Sequence, residues 1–283
     1  MEESVASVEA GSVTESALWE AWLRGEPPAA VPIIDAHAHL GRLAEFHIPG
    51  GGRAEDLLRE MDRLGIRCCL SAPFAAWAGE LGEGHDEIAR IAKLYPGRFY
   101  GYCVYNPAFG VERSLHELES RLACPEFVGI KIAPSTHGFA ADDPDYAPMW
   151  DFANRRGLVV LTHSWRGSAE DDPRRFESIA RRYPRVRILL GHSGGDVQGM
   201  VSAARVASEA ENIYLELASS HTPLGILEWM VATVGAERIL FGSDMPFLDP
   251  RWKLGQVLGA RIPDAAKEKI LGENARRLFG LEV

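Results

Sequence analysis

Cysteine is scarce in this 283-residue chain: there are four, Cys68, Cys69, Cys103 and Cys124, and none forms a C-x-x-C pair. That removes a disulfide framework and paired-cysteine metal spacings. Three of them, Cys68, Cys69 and Cys103, lie inside apolar runs and read as buried free thiols. Positive charge is also short, with 30 Lys and Arg against 40 Asp and Glu, a net charge of -10. A broad nucleic-acid surface is therefore not expected. A small acidic substrate is not excluded, because a local pocket can oppose the net charge. No apolar run is long enough to cross a bilayer, and no basic, apolar leader precedes His37, so a cytoplasmic protein without membrane contact is expected. The nucleotide-cradling patterns G-x-G-x-x-G and G-x-x-x-x-G-K-[ST] are missing too, which leaves a doubly wound open sheet without motif support.

What the chain does have is rhythm. Short runs rich in Val, Ile, Leu and aromatics recur at 32–35, 66–72, 99–105, 127–132, 158–163, 186–192, 213–218 and 238–244. They are apolar on both faces, as parallel strands covered by helices must be. Stretches of helical periodicity fill the gaps, among them AEDLLREMDRLG, which ends on a favoured C′ glycine, and a last one over DAAKEKILGENARRLFG. Eight strand–helix alternations predict a single α/β domain, a (β/α)8 TIM barrel, over residues 32–283. Residues 1–31 form an N-terminal extension. Its first 13 residues are small, polar and acidic, Ser12 and Glu15 offer a capping box, and Leu18, Trp19, Trp22 and Leu23 follow at helical spacing. That short helix either docks on the barrel surface or covers the substrate, and its two tryptophans hint at a homodimer.

Polar residues fall where the apolar runs stop. His37 and His39 follow the first run, Lys131 closes the fourth, His163 the fifth, His192 the sixth and Asp244 the eighth. In a β-strand, side chains two apart share a face, so His37 and His39 aim at one point. In this barrel type the strand ends converge around one axis, where chemistry is done. Imidazole and carboxylate together suit zinc and similar divalent ions. Such an ion lowers the pKa of its bound water to about 7. A carboxylate such as Asp244 can hold the ion with one oxygen and take a proton with the other.

In that order H-x-H, T-H, G-H-S-G-G and G-S-D-x-P-F, with ENARRLFGL near the end, resemble the amidohydrolase superfamily, and more narrowly its amidohydrolase-2 branch of metal-dependent hydrolases and decarboxylases. The resemblance covers about residues 32 to 281. It implies His37, His39, His163 and Asp244 as metal ligands, with Asp244 and His192 as the catalytic pair, His192 orienting or activating the water. It implies one Zn2+, with Mn2+ or a binuclear site as alternatives. Lys131 would be a carboxylated bridge between two metals or, as an ammonium, a contact to substrate or to Asp244.

Around these residues, Phe74, Trp77, Tyr105, Trp165 and Phe247 follow strand ends and could line an aromatic substrate site. Arg42, Arg53 and Arg166 are candidates to clamp a substrate carboxylate. The glycine-rich stretch GRLAEFHIPGGGR reads as a flexible cover. His85 reads as a helix-start residue and His116 as solvated; His47, His137 and His221 lie in loops, as packing or surface residues that could touch substrate. The reaction expected first is hydrolysis of a small carbonyl or cyclic substrate, aromatic or carboxylated, by metal-activated water. The alternative is non-oxidative decarboxylation of an aromatic or unsaturated acid in the same pocket. A binding module without chemistry is opposed by the complete ligand set.

Overall fold

The computed structural model describes residues 16–28, 32–42, 47–49, 52–219 and 221–283. Eight strands form one parallel sheet in sequence order. They are β1 (Ile33–Leu40), β2 (Ile66–Pro73), β3 (Phe99–Val104), β4 (Phe127–Ile132), β5 (Val159–Trp165), β6 (Arg187–Gly194), β7 (Ile213–Glu216) and β8 (Ile239–Leu240). The sheet closes on itself through backbone bonds rather than a regular ladder. Ala36 N donates to Phe241 O at 2.9 Å, Asp244 N to His37 O at 2.8 Å and His39 N to Met245 O at 2.8 Å. The fold is the expected (β/α)8 barrel, with helices on the outside.

The helices in chain order are α1 (Ala17–Leu23), α2 (Ala54–Leu64), α3 (Phe74–Ala78), α4 (Leu81–Leu94), α5 (Val111–Arg121), α6 (Pro134–His137) and α7 (Ala147–Arg156). Then come α8 (Arg175–Arg182), α9 (Val197–Glu209), α10 (Ile226–Val234), α11 (Pro250–Gly259), α12 (Asp264–Glu268) and α13 (Asn274–Phe279). Helix α2 shows why these segments settle. Leu57, Met61 and Leu64 recur on one buried face, each contributing about 1.5–3 kcal/mol of burial. Gly65 then stops the helix at φ 73°, a left-handed turn open to glycine.

Several elements differ from the sequence reading, among them the short helices α3 and α6. β1 runs on to Leu40, so His37 and His39 lie within the strand instead of after it. An additional helix, α11, stands between β8 and the C-terminal helix, which is itself broken by a wide π turn over Lys269–Glu273. The Ser12–Glu15 capping box lies outside the described residues, and Ser16 caps α1 instead, its Oγ accepting from Trp19 N at 3.1 Å. α1 docks on its own barrel: Ser16 Oγ donates to Asp264 Oδ1 at 2.5 Å and accepts from Lys267 Nζ at 2.7 Å. Trp19 and Trp22 are half-buried against the glycines of α11. Cys68, Cys69 and Cys103 are buried free thiols, as expected. Among the described residues, no helix is long and apolar enough to cross a membrane.

Candidate metal centre

The strand ends bring the histidines together. Ring centroids of His37 lie 5.3 Å from His39, 4.9 Å from His192 and 6.4 Å from His163, and His163 lies 5.0 Å from His192. Asp244 Oδ1 sits 3.2 Å from His39 Nε2 and 3.7 Å from His37 Nε2. The potential ligand atoms form two triads, His37–His39–Asp244 and His37–His163–His192, each with all atoms within 4.8 Å. The two groups share His37; the second takes in His192, which was not among the expected ligands, and neither puts His163 together with His39 or Asp244.

Each imidazole at the seam is turned the same way. His37 Nδ1 contacts Glu216 Oε2 at 2.8 Å, His39 Nδ1 contacts Ala72 O at 3.1 Å, and His192 Nδ1 contacts Ala218 O closely. Carbonyl and carboxylate oxygens only accept, so the network assigns the proton to Nδ1 in all three. That leaves bare Nε2 atoms facing the centre, the arrangement that metal-ligating histidines adopt. Burial pushes the pKa of His37 well down and that of His192 down to about 4, which keeps both rings neutral. Asp244 is lowered despite its burial, because His39, His192 and Lys131 surround it.

His39 Nε2 makes no hydrogen bond, although Asp244 is close. Trp77 Nε1, His137 Nε2 and Asp171 Oδ1 are the other buried side-chain polar atoms left without a partner among the described residues. All four belong to the ends of β1, β2, β4 and β5 or to the segments that follow them. A buried polar group left unmade costs about 1–3 kcal/mol. The neutral-imidazole and carboxylate donors gathered at this end of the barrel fit a divalent ion.

Two carboxylates that sequence reading missed hold the site in place. Asp35 accepts from His37 N at 3.1 Å, from Ser243 N at 3.0 Å and from Ser243 Oγ. It clips β1 to the segment carrying Asp244, at the register shift between Asp35 and Ala38. Burial raises Asp35 to about 7 against the pull of those donors. Glu216 on β7 accepts from His192 N at 3.0 Å as well as from His37, and from Ala218 N at 2.5 Å. Burial pushes it up to about 8, again opposed by the backbone donors. Gly242 makes room for it, because a Cβ there would strike both Glu216 Oε1 and His37 Cβ. The available signal was an acidic residue inside a run buried on both faces, where a charge needs partners.

The backbone is strained at the same place. His192 (φ 62°), Ser193 (φ 46°) and Asp244 (φ 62°) are the non-glycine residues of positive φ among those described. Such conformations cost about 1–3 kcal/mol each and collect at functional sites.

Lys131 is fully buried with Nζ 2.9 Å from His37 Nε2, and burial lowers its pKa to about 7. Its amine and an ion would compete for the same lone pair. Four of the five aromatics reach the cluster. Phe74 and Trp77 stack on His39 at 4.7 and 5.1 Å, Phe247 meets it edge-on at 5.5 Å, and Trp165 stacks on His192 at 4.4 Å. Tyr105 instead packs on Tyr146 and donates to Asp145 O at 2.7 Å. Arg53 and Arg166 pair with Asp56 and Asp196 at the surface, and Arg42 is exposed. His85 is not at a helix start but buried within α4, where Nε2 accepts from Val104 N at 2.8 Å and Nδ1 meets Glu117 at 2.9 Å. His137 packs on Tyr146 OH at 2.7 Å, while His47, His116 and His221 are exposed. Most of the GRLAEFHIPGGGR stretch that could act as a cover lies outside the described residues or at their edge.

A family model described as amidohydrolase matches residues 34–281, nearly the whole barrel. The chain belongs to the amidohydrolase-2 family. Solved amidohydrolase-type barrels of similar shape include 5-carboxyvanillate decarboxylase from Sphingomonas paucimobilis, 18% identical, covering 89% of this chain and 100% of that one at a TM-score of 0.71. A 2,6-dihydroxybenzoate decarboxylase from Rhizobium is 18% identical, with 89% and 100% covered and a TM-score of 0.70. A dihydroxybenzoic acid decarboxylase from Polaromonas sp. JS666, with bound manganese and the inhibitor 2-nitroresorcinol, is 19% identical, with 89% and 98% covered and a TM-score of 0.71. At these identities the likeness shows the fold.

Proposed function

We propose that this amidohydrolase-2 protein is a metal-dependent, non-oxidative decarboxylase of a small hydroxylated aromatic acid. The observation that carries the reading is the set of flat aromatic rings laid directly against the imidazoles: Phe74, Trp77 and Phe247 around His39, and Trp165 on His192. A planar ring held between such faces gains burial and stacking that a small acyclic amide would not use. The decarboxylases of the same shape support it. His37, His39, His163 and Asp244 would hold one divalent ion, Zn2+ or Mn2+, with His192 beside it. Once bound, that ion supplies Lewis-acid stabilisation of negative charge on the acid's oxygens.

The chain's own residues relay the proton. Asp244 has the most open side chain among the residues paired in the seam, 13% exposed, and its lowered pKa keeps it ionised before substrate arrives. The proton it later delivers must come with the substrate, from an ortho hydroxyl that yields it on binding. Asp244 then hands that proton to the ring carbon bearing the carboxylate. The carbon–carboxylate bond breaks, its electron pair restores the aromatic ring, and CO2 leaves. The product phenolate takes up a proton on release, so charge and atoms balance. His192, neutral and backed by Ala218, would orient the leaving carboxylate. Lys131 would face the substrate's oxygens or a second ion.

Hydrolysis by metal-activated water, the reading placed first from sequence, uses the same Asp244 and His192 and gains from the family's name alone. CO2 release from a panel of hydroxybenzoates by Zn2+- or Mn2+-loaded protein tests the proposal. Release from at least one member is expected. Turnover of lactones or amides with no CO2 from any acid would restore hydrolysis.

A further inference from the structure

Trp165 is the most exposed of the four rings packed on the imidazoles, at 37%, whereas Phe74 and Trp77 are buried. Its indole nevertheless lies flat on His192, with 4.4 Å between ring centroids and 17° between planes. It also meets His163 edge-on at 5.9 Å. Both imidazoles are buried. The indole therefore roofs the His192 side of the cluster, with part of its own surface in solvent.

A glycine makes the slot that seats it. A Cβ at Gly195, whose φ is 82°, would lie 2.3 Å from Cε3 and 2.6 Å from Cζ3 of the indole. Gly195 is itself fixed: its N donates to His192 O at 2.9 Å and its O accepts from Ser219 Oγ at 2.7 Å. The backbone that carries the indole is fixed as well. Trp165 N donates to Asp171 O at 3.1 Å and Arg166 N to Gly194 O at 3.1 Å. The Arg166 guanidinium grips Asp196 through Nε at 2.9 Å and Nη2 at 2.7 Å. The side chain is different. Among the described residues it is held by ring packing and the Gly195 slot, with no hydrogen bond at Nε1. Exposed side chains change rotamer fast, on the ps–ns scale, so the indole can swing outward while its frame stays.

We propose that Trp165 is a specificity-determining residue: it lifts to let a planar acid slide between its indole and His192, and so selects flat rings over puckered ones. That the ligand is an aromatic acid rests on the decarboxylase reading. The two rings already touch, so room for a ligand is made by moving the indole toward solvent. A flat ring asks for one aromatic thickness, about 3.5 Å. It restores on its two faces the stacking that indole and imidazole give up. A saturated ring of the same outline is thicker and offers neither neighbour a π face. Gly195 leaves the indole free to settle parallel to the ligand, where a side chain would tilt it.

The test compares salicylate with its saturated counterpart, 2-hydroxycyclohexanecarboxylate, by calorimetry on the metal-loaded protein. Wild type is expected to bind salicylate roughly tenfold tighter, the scale of one aromatic stacking contact. Trp165→Phe keeps a flat ring and should retain most of that preference, while Trp165→Ala should erase most of it. Gly195→Ala should erode it too, and it keeps the indole should the Trp165→Ala protein not fold. Metal per chain should stay at the wild-type level in all three variants. Equal binding of the two acids by wild type or no binding of either overturns the proposal. So does a preference that survives both Trp165→Ala and Gly195→Ala, or one lost only where bound metal is lost as well. A Trp165-dependent preference in a protein that releases no CO2 from any hydroxybenzoate keeps the selection at Trp165 and removes the decarboxylase reading. CO2 release from a hydroxybenzoate by a protein whose preference ignores Trp165 does the reverse.

Discussion

Glu216 Oε2 lies 2.8 Å from His37 Nδ1, with both side chains fully buried. The carboxylate fixes the ring's tautomer and raises the basicity of Nε2, the atom that faces Asp244 and Lys131. Glu216→Gln keeps the size of the side chain and replaces the carboxyl that holds His37 Nδ1 with an amide. Divalent-metal affinity should fall by about 10–100-fold, measured by competition with a chelator. Affinity within twofold of wild type would remove Glu216 from the metal site.

Asp244→Asn can still offer an oxygen to a cation but cannot shuttle a proton. At saturating metal, kcat should fall by ~10²–10⁴, with KM changed far less. A near-normal kcat in that variant would contradict the proton role assigned to Asp244.

His85 and Glu117 make a prediction away from the cluster. The His85 hydrogen bond, more than Arg121, holds Glu117 down to about 2 from an ordinary 4.5. His85 is kept neutral by burial and ties α4 to β3 through Val104 N. The depressed carboxyl contributes stability that is present above about pH 4.5 and lost as pH falls toward about 2. Glu117→Gln should therefore flatten the acid limb of a stability-against-pH curve in that window, read by chemical denaturation. An unchanged limb would show that the bond carries no such linkage.

Much of this was legible in the chain because barrel strands buried on both faces are continuous apolar runs, and the run over 127–132 matches β4 residue for residue. His37, His39, His163, His192 and Asp244 stood out for the same reason: polar residues where apolar runs end. β8 is shorter than its run, 239–240 against 238–244, because Ser243 and Asp244 leave the ladder to meet Asp35 and His37. Asp35 and Glu216 did not stand out, since their roles come from donors far away in sequence: Ser243 for one, His37 for the other. Helix α11 was passed over because its polar and apolar residues show little one-sided order.

The central claim is that His37, His39, His163 and Asp244 grip one divalent cation. Elemental analysis of protein dialysed after loading with Zn2+ or Mn2+ tests it most directly. About one ion per chain is expected in wild type, and near zero in a His37→Ala, His39→Ala double variant that still melts cooperatively. A wild-type protein that retains no ion, or a double variant that retains as much as wild type, would contradict the account.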